Sequence, residues 1–145
     1  MTMTSEPTST AAAEQADQTE QELQVERDGS GVVTVTLNRP RTKNAVTGAG
    51  WLAIADVFED IARRPDDRVV ILTGAGGNFC SGADLSARGG TSAREGMRRV
   101  NAASAAVRDL PKPTIAVVSG VAVGAGFNHA LACDLAIADR SARFP

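Results

Sequence analysis

The sequence has few of the residue types that build metal or disulfide sites. It contains no tyrosine, one histidine and two cysteines in 145 residues. A single histidine without a Cys-x-x-Cys pair argues against a zinc site, and we expect no bound metal. Because nothing in the chain points to secretion, we expect Cys80 and Cys133 to be buried free thiols rather than a disulfide.

Long apolar runs are also absent. No stretch approaches the ~18 consecutive apolar residues that suggest a membrane-spanning helix. The N-terminus lacks the basic start and apolar run of a secretory signal. These absences make the cytoplasm the expected location, and a membrane is not an expected partner.

Neither sign of charge dominates. The formal net charge is -2, which argues against nucleic acid or an anionic membrane as a general partner. A local basic cluster at Arg39, Arg41 and Lys43 could still hold a phosphate group.

Aromatic residues make up only 3% of the chain, whereas 43% of it is hydrophobic. Alanine, valine, leucine and isoleucine must therefore supply most of the core. Residues 1–22 are rich in threonine, serine, alanine, glutamate and glutamine, a composition that predicts a disordered tail. Residues 23–145 form the predicted domain, and the chain length favours a single one.

Alternating and helical hydrophobic patterns follow one another along the domain. The predicted strands are 23–27, 32–37, 69–73, 114–118 and 135–138. The turn at 28–31 makes the first two a predicted hairpin. The predicted helices are a long one capped by Thr47, a second over 94–108, and a short one that starts near Ala125. Strands that alternate with helices predict crossover connections and α/β architecture.

Two segments place small residues where a ligand could approach the backbone. They are NFCSGADL at 78–85 and GVAVGAG at 120–126. A helix that starts near Ala125 leaves its first N–H groups without intrahelical partners, which suits an anion or a developing oxyanion. Taken alone, each segment is better explained by an ordinary turn or by close packing of a helix on a strand.

The order of the motifs resembles that of the crotonase superfamily, the enoyl-CoA hydratase/isomerase family. The chain has LNRPRTKNAV, then FCSGADL, then KPTIAVVSGVAVGAG, then ACDLAIA. The resemblance extends over about 25–144. It implies the N-terminal portion of a crotonase-like spiral of strand–strand–helix units, with 23–145 as a partial acyl-CoA-binding domain.

The resemblance also implies a site. The backbone N–H groups of Ala83 and Ala125 would form an oxyanion hole for an acyl-CoA thioester, which is the substrate; no further cofactor is implied. Residues expected near the substrate are Arg41, Lys43, Ala45, Ser81, Gly82, Asp84, Leu85 and Gly124. Arg41 or Lys43 would be available to the phosphates of CoA.

The chain departs from the hydratases of this family, which use two glutamates as general base and acid. The first aligns with Asn128, and the second lies beyond Pro145. An isomerase, a hydrolase or another reaction of CoA thioesters fits Asn128 no worse than a hydratase. The alternative is a catalytically inactive truncated fragment or remnant of such an enzyme. Trimers or hexamers are usual in the family, but doubtful for this chain. A third possibility, a nucleotide-binding domain, is disfavoured because neither glycine-rich segment fits the GxGxxG motif.

Three further expectations concern neighbouring residues. His129 points about 100° away from Asn128 on a helix, so we expect a packed or surface histidine rather than a substitute base. Asp84 is expected to hold its loop through an Asx-type bond, and Asp134 to fix a turn. Because several strands are apolar on both faces, we also expect an exposed apolar patch.

Overall fold

The computed structural model describes residues 22–87 and 89–145. Residues 1–21 of the predicted tail lie outside the described residues. Glu22, which the sequence assigned to that tail, is described. Its carboxylate accepts hydrogen bonds from the backbone N–H (2.8 Å) and the hydroxyl (2.7 Å) of Thr47.

The domain begins with the predicted hairpin. Strands β1 (Leu23–Arg27) and β2 (Val32–Leu37) pair antiparallel. The turn between them is stabilised by Asp28, whose carboxylate accepts hydrogen bonds from the Ser30 N–H (2.8 Å) and hydroxyl (2.7 Å). The alternating pattern of β2 buries Val33, Val35 and Leu37.

Three further strands extend the sheet in chain order. They are β3 (Val69–Gly74), β4 (Thr114–Val118) and β5 (Leu135–Ala138), and the sheet order is β1-β2-β3-β4-β5. The β2–β3, β3–β4 and β4–β5 pairs are all parallel. The carboxyl ends of β2 to β5 therefore lie at one edge of the sheet.

Helices connect the parallel strands as predicted. They are α1 (Gly48–Arg63), α2 (Ala93–Arg108) and α3 (Ala125–Ala132), and a 3-10 turn covers Pro40–Thr42. The Thr47 cap is confirmed, because its side chain accepts from the Gly50 N–H at 3.0 Å. Ser92 caps α2 in the same way, at 3.2 Å from the Glu95 N–H.

One face of the sheet packs against the helices and forms the core. Core residues from the sheet and helices form one cluster, which includes Val33, Val35, Val70, Leu72, Ala116, Ile54, Phe58, Ile61, Ala103 and Val107. The predicted fold class, an α/β domain with parallel crossovers, is confirmed.

The opposite face of the sheet is less covered toward β5. Ile115 pairs with Leu135 and Val117 with Ile137 on that face. Leu135 and Ile137 are 61% and 60% exposed. Leu131 and Phe144 are also large exposed apolar residues. The expected exposure of apolar side chains is therefore present at the β5 end of the sheet, and Leu52, Leu85 and Met97 are exposed elsewhere.

The described helices can also be compared with membrane spans. None of them combines the length and the apolar character that crossing a membrane requires.

Candidate functional site

The two small-residue segments run side by side. Cys80 and Ala122 form a parallel bridge, in which the Cys80 N–H donates to Val121 O (2.9 Å) and the Val123 N–H donates to Cys80 O (3.0 Å). Ala83 lies three residues after Cys80, and Ala125 lies three residues after Ala122. A methyl group placed on Gly82 would lie 3.7 Å from the Ala125 nitrogen, so the segments remain adjacent at that point.

The amides of Ala83 and Ala125 are left without acceptors. A parallel bridge to Val46 uses the groups on either side of Ala83: Gly82 O accepts from the Val46 N–H (2.9 Å), and the Asp84 N–H donates to Val46 O (2.8 Å). Ala125 is the first residue of α3, where N–H groups have no intrahelical acceptor. Within the described residues, neither amide donates a hydrogen bond. Two N–H groups without acceptors therefore lie on neighbouring segments.

Glycines allow this close approach. Gly124 precedes α3 with φ of 54° and ψ of -123°, a conformation that side chains disfavour. A methyl group on Gly126 would lie 2.5 Å from Cys80 O and 2.8 Å from Cys80 Sγ. The start of α3 therefore rests directly on the Cys80 segment, and this contact sets the spacing of the two amides.

Cys80 and Cys133 are both buried and free, as expected. The Cys80 thiol donates to Asn44 O (3.2 Å) and accepts from the Gly82 N–H (3.3 Å). Burial raises the pKa of Cys80 to about 11. The thiol stays protonated at neutral pH and supports the loop rather than serving as a nucleophile.

Asp84 is fixed by two neighbours. One carboxylate oxygen accepts from the N–H (3.0 Å) and hydroxyl (2.6 Å) of Ser86, which confirms the Asx-type bond. The other accepts from Arg39 Nη1 at 2.8 Å, and the same nitrogen donates to Ala45 O at 2.7 Å. The Ser86 hydroxyl and then Arg39 lower the pKa of Asp84 to about 2. Asp84 is thus a permanent anion at neutral pH and holds the Ala83 loop to the Arg39–Ala45 segment.

The segment predicted to lie near CoA is shaped by Asn44, which sequence reasoning missed. Asn44 is buried; its amide nitrogen donates to Ala75 O (2.9 Å) and Asn78 O (2.7 Å), and its oxygen accepts from the Arg39 N–H (2.9 Å). Its φ of 59° lies in the left-handed region that asparagine tolerates. The sequence contained one signal for this role of Asn44, which is an asparagine between a proline-containing turn and an apolar residue.

The remaining predicted substrate residues flank these segments. The Ser81 N–H donates to Lys43 O (2.9 Å) and its hydroxyl to Thr42 O (2.8 Å), which joins two predicted parts of the site. Arg41 and Lys43 are exposed on this turn. Leu85 is exposed as well.

A cavity of about 370 Å³ lies beside Ala83. Its walls come from the first turns of α1 and α2 and from the Ala83 loop. The lining residues are Val46, Thr47, Gly48, Ala49, Trp51, Ala83, Asp84, Ala87, Thr91, Ser92, Ala93, Gly96, Met97, Arg99 and Val100. Ala125 and Asn128 do not line it. Nothing in the sequence pattern pointed to this cavity, because its walls come from segments far apart in the chain.

The two polar residues on α3 differ in environment. Asn128 is exposed. His129 is 2% exposed, and its ring centroid lies 4.8 Å from that of Trp51. Its Nδ1 lies 3.1 Å from Ala125 O, and its Nε2 is buried without a partner within the described residues. Burial lowers the pKa of His129, so the ring is neutral and packed, which is one of the two expected roles.

Asp134 was expected to fix a turn, and no metal site was expected. The Asp134 carboxylate accepts from the N–H (2.9 Å) and the hydroxyl (3.0 Å) of Thr114, which ties the start of β5 to β4. In the part of the chain that the structure describes, no group of three or more histidine, cysteine, aspartate or glutamate side chains could bind a metal ion.

Comparison with known proteins gives consistent matches. The family model described as enoyl-CoA hydratase/isomerase matches residues 27–145. The probable peroxisomal enoyl-CoA hydratase 1 of Arabidopsis thaliana is 37% identical over 130 residues, which are 88% of this chain and 49% of the relative. The 1,2-epoxyphenylacetyl-CoA isomerase of Escherichia coli is 40% identical over 121 residues, or 79% of this chain and 46% of the relative.

Solved structures agree. The crystal structure of an enoyl-CoA hydratase from Mycobacterium smegmatis matches with a TM-score of 0.80 and 40% identity, over 86% of this chain and 50% of that one. The chain spans about half the length of the relatives it matches. The family match, the relatives and the shared fold together show that the chain belongs to the enoyl-CoA hydratase/isomerase family, the crotonase superfamily.

Proposed function

We propose that this chain binds an acyl-CoA thioester and holds the thioester oxygen between the N–H groups of Ala83 and Ala125. The observation that carries the proposal is a pair of amides without acceptors on two adjacent segments. Negative charge develops on a thioester oxygen when a proton leaves the neighbouring carbon or when a nucleophile adds. One such donor is worth about 3 kcal/mol of transition-state stabilisation in other enzymes.

We assign the other parts of the substrate from the positions of the residues around the two amides. The exposed turn with Arg41 and Lys43, joined to the oxyanion loop through Ser81, would contact the phosphates of CoA. The cavity beside Ala83 would take the acyl group, since it adjoins one of the two amides and is mostly apolar. Gly82, Asp84, Leu85 and Gly124 would flank the thioester.

The described residues are better suited to polarising the thioester carbonyl than to transferring protons. Both carboxylate oxygens of Asp84 are hydrogen-bonded, which makes it a weak base. The side chain of Asn128 can orient a group but cannot accept a proton. His129 is buried. We therefore favour, as this chain's contribution, binding of the thioester and stabilisation of its enolate over hydration.

The test uses cinnamoyl-CoA, whose conjugated chromophore absorbs at longer wavelength when its carbonyl is polarised. Ala125→Pro removes the N–H at the first helical position, where proline is well tolerated. Ala125→Gly is the matched control, because it keeps the N–H. We expect a red shift on binding to the wild-type chain and to Ala125→Gly. Ala125→Pro should bind with similar affinity but with a smaller shift, because only the Ala83 N–H remains to polarise the carbonyl. An equal shift in Ala125→Pro would rule out Ala125 as a donor.

A second candidate is a catalytically inactive remnant that retains the fold. It is favoured by Asn128, which stands at the position of a family glutamate. It is also favoured by the hydrogen bonds that occupy both carboxylate oxygens of Asp84. General acid–base groups contribute typically 10²–10⁴-fold each, so crotonyl-CoA hydration by the purified chain should stay near the uncatalysed rate under either candidate. Binding of acyl-CoA with a red shift supports the first candidate, and absence of binding supports the second.

A further inference from the structure

Arg99 brings a positive charge to a cavity whose walls are otherwise mostly apolar. It lies on α2, one turn after Glu95, and its Nε donates to Glu95 Oε1 at 3.2 Å. A methyl group placed on Gly48 would lie 2.8 Å from Arg99 Nη1. The end of the guanidinium therefore reaches across the cavity wall from α2 to the first residue of α1.

The hydrogen-bonding capacity of Arg99 is only partly used. Glu95 takes Nε, and the two terminal nitrogens have no acceptor within the described residues. The side chain is 27% exposed, against 43% for Glu95. An arginine that is largely withdrawn from water and still has two donor nitrogens is suited to a planar carboxylate, which it can bind through two parallel hydrogen bonds.

Three other polar side chains of the cavity already take part in hydrogen bonds. Asp84, the acidic residue in the lining, is paired with Arg39 and bonded to Ser86. The Thr47 hydroxyl donates to Glu22 and accepts from α1, while the Ser92 hydroxyl accepts from α2. Among the charged lining residues that the structure describes, Arg99 alone retains donors for a ligand.

The geometry points to Arg99 as a specificity-determining residue for acyl groups that end in a carboxylate. The inference rests on the proposed function, because Ala83, at the wall of the same cavity, would hold the thioester oxygen. The cavity of about 370 Å³ falls in the range of small-ligand sites. An acyl chain of several carbons would run from Ala83 past Trp51 and Val100, with its distal carboxylate at the guanidinium.

The test compares two thioesters of equal chain length, glutaryl-CoA and pentanoyl-CoA, with the 145-residue chain in calorimetric titrations. They differ in a terminal carboxylate against a terminal methyl. We expect glutaryl-CoA to bind more tightly, by roughly tenfold or more, because its carboxylate forms hydrogen bonds with a charged group. Arg99→Met should remove this preference and leave pentanoyl-CoA within about twofold.

Two further variants make the result specific. Arg98→Met removes the neighbouring exposed arginine and should change neither affinity. Glu95→Gln leaves Arg99 in place and removes its competing anion, so glutaryl-CoA should bind a few-fold more tightly. This variant decides the matter even if Arg99→Met fails to fold, since weaker or unchanged glutaryl-CoA binding in Glu95→Gln would overturn the inference.

The outcomes separate the two proposals. Equal binding of both thioesters would overturn the assignment of Arg99 and leave acyl-CoA binding intact. Failure of both thioesters to bind would overturn the proposed function and this inference with it.

Discussion

The paired loops at Ala83 and Ala125 and the sheet end at β5 differ in how fully the described chain contacts them. The loops are held on several sides, by the Cys80–Ala122 bridge, by the bonds of Asn44 and by the Arg39–Asp84 pair. At β5, by contrast, Leu135 and Ile137 are 61% and 60% exposed. The proposed oxyanion site is thus built from contacts within this chain, whereas the β5 face offers apolar surface that the described residues leave open.

Substituting Gly126 is expected to give the largest effect, because this glycine sets the spacing of the loops. A methyl group there would lie 2.5 Å from Cys80 O, whereas one on Gly96 meets nothing within 4 Å. Both glycines lie in helices. We expect Gly126→Ala to lower the free energy of unfolding by about 2 kcal/mol through overpacking. Gly96→Ala should raise it by up to about 1 kcal/mol through helix propensity.

Chemical denaturation followed by circular dichroism would measure both changes. If Gly126→Ala proves as stable as Gly96→Ala, α3 does not rest on the Cys80 segment, and the contrast between the two regions weakens.

Breaking the Arg39–Asp84 pair should have the next largest effect. Arg39→Met removes donors to Asp84 and to Ala45 O. The loss of hydrogen bonds to a charged group should cost about 1.5 kcal/mol of stability at neutral pH, because the Arg39 side chain is 30% exposed. Binding of acyl-CoA should weaken as well, because both bonded groups belong to the proposed substrate site.

The same pair predicts a pH dependence. The pKa of Asp84 is lowered to about 2, from about 3.9 in an unfolded chain. Its contribution to stability is therefore complete above the unfolded pKa, and it is lost as the pH falls from about 4 to about 2. In Arg39→Met the stability lost over this interval should be smaller. An identical pH profile in the two proteins would mean that Arg39 does not stabilise the charged form of Asp84.

Changes at the β5 end should affect stability least. Replacing Leu135 and Ile137 together by threonine keeps side chains that suit a strand. Because both residues are exposed, we expect a change within about 0.5 kcal/mol. Binding of a hydrophobic dye and aggregation should fall, since the exposed apolar area shrinks. A large loss of stability would show that these side chains are packed in solution, and the contrast with the loops would disappear.

Local signals in the sequence predicted much of the fold. The alternation in 32–37 and the turn after Arg27 predicted the hairpin, and Thr47 predicted the start of α1, because these features depend on neighbours in the chain. The order of the motifs placed Ala83 and Ala125 together. Sequence reasoning missed the bond of Arg39 to Asp84, 45 residues away, and those of Asn44 to Ala75 and Asn78. Contacts at such separations leave no trace in periodicity or spacing.

The cavity and the donors of Arg99 were missed for the same reason. In the sequence, Arg99 is one of several charged residues in a predicted helix. Only the approach of α2 to Gly48 brings it to the cavity wall. Family resemblance predicted the two amides but not the side chains that support them.

The most direct measurement is the NMR chemical shift of the Ala83 and Ala125 amide protons during titration with an acyl-CoA. The central claim is that these two free N–H groups hold the thioester oxygen. It predicts that both amide protons move downfield with saturating acyl-CoA, as they do when they donate a hydrogen bond, and that CoA alone leaves them in place. Saturation with acyl-CoA while both signals keep their positions would contradict the claim.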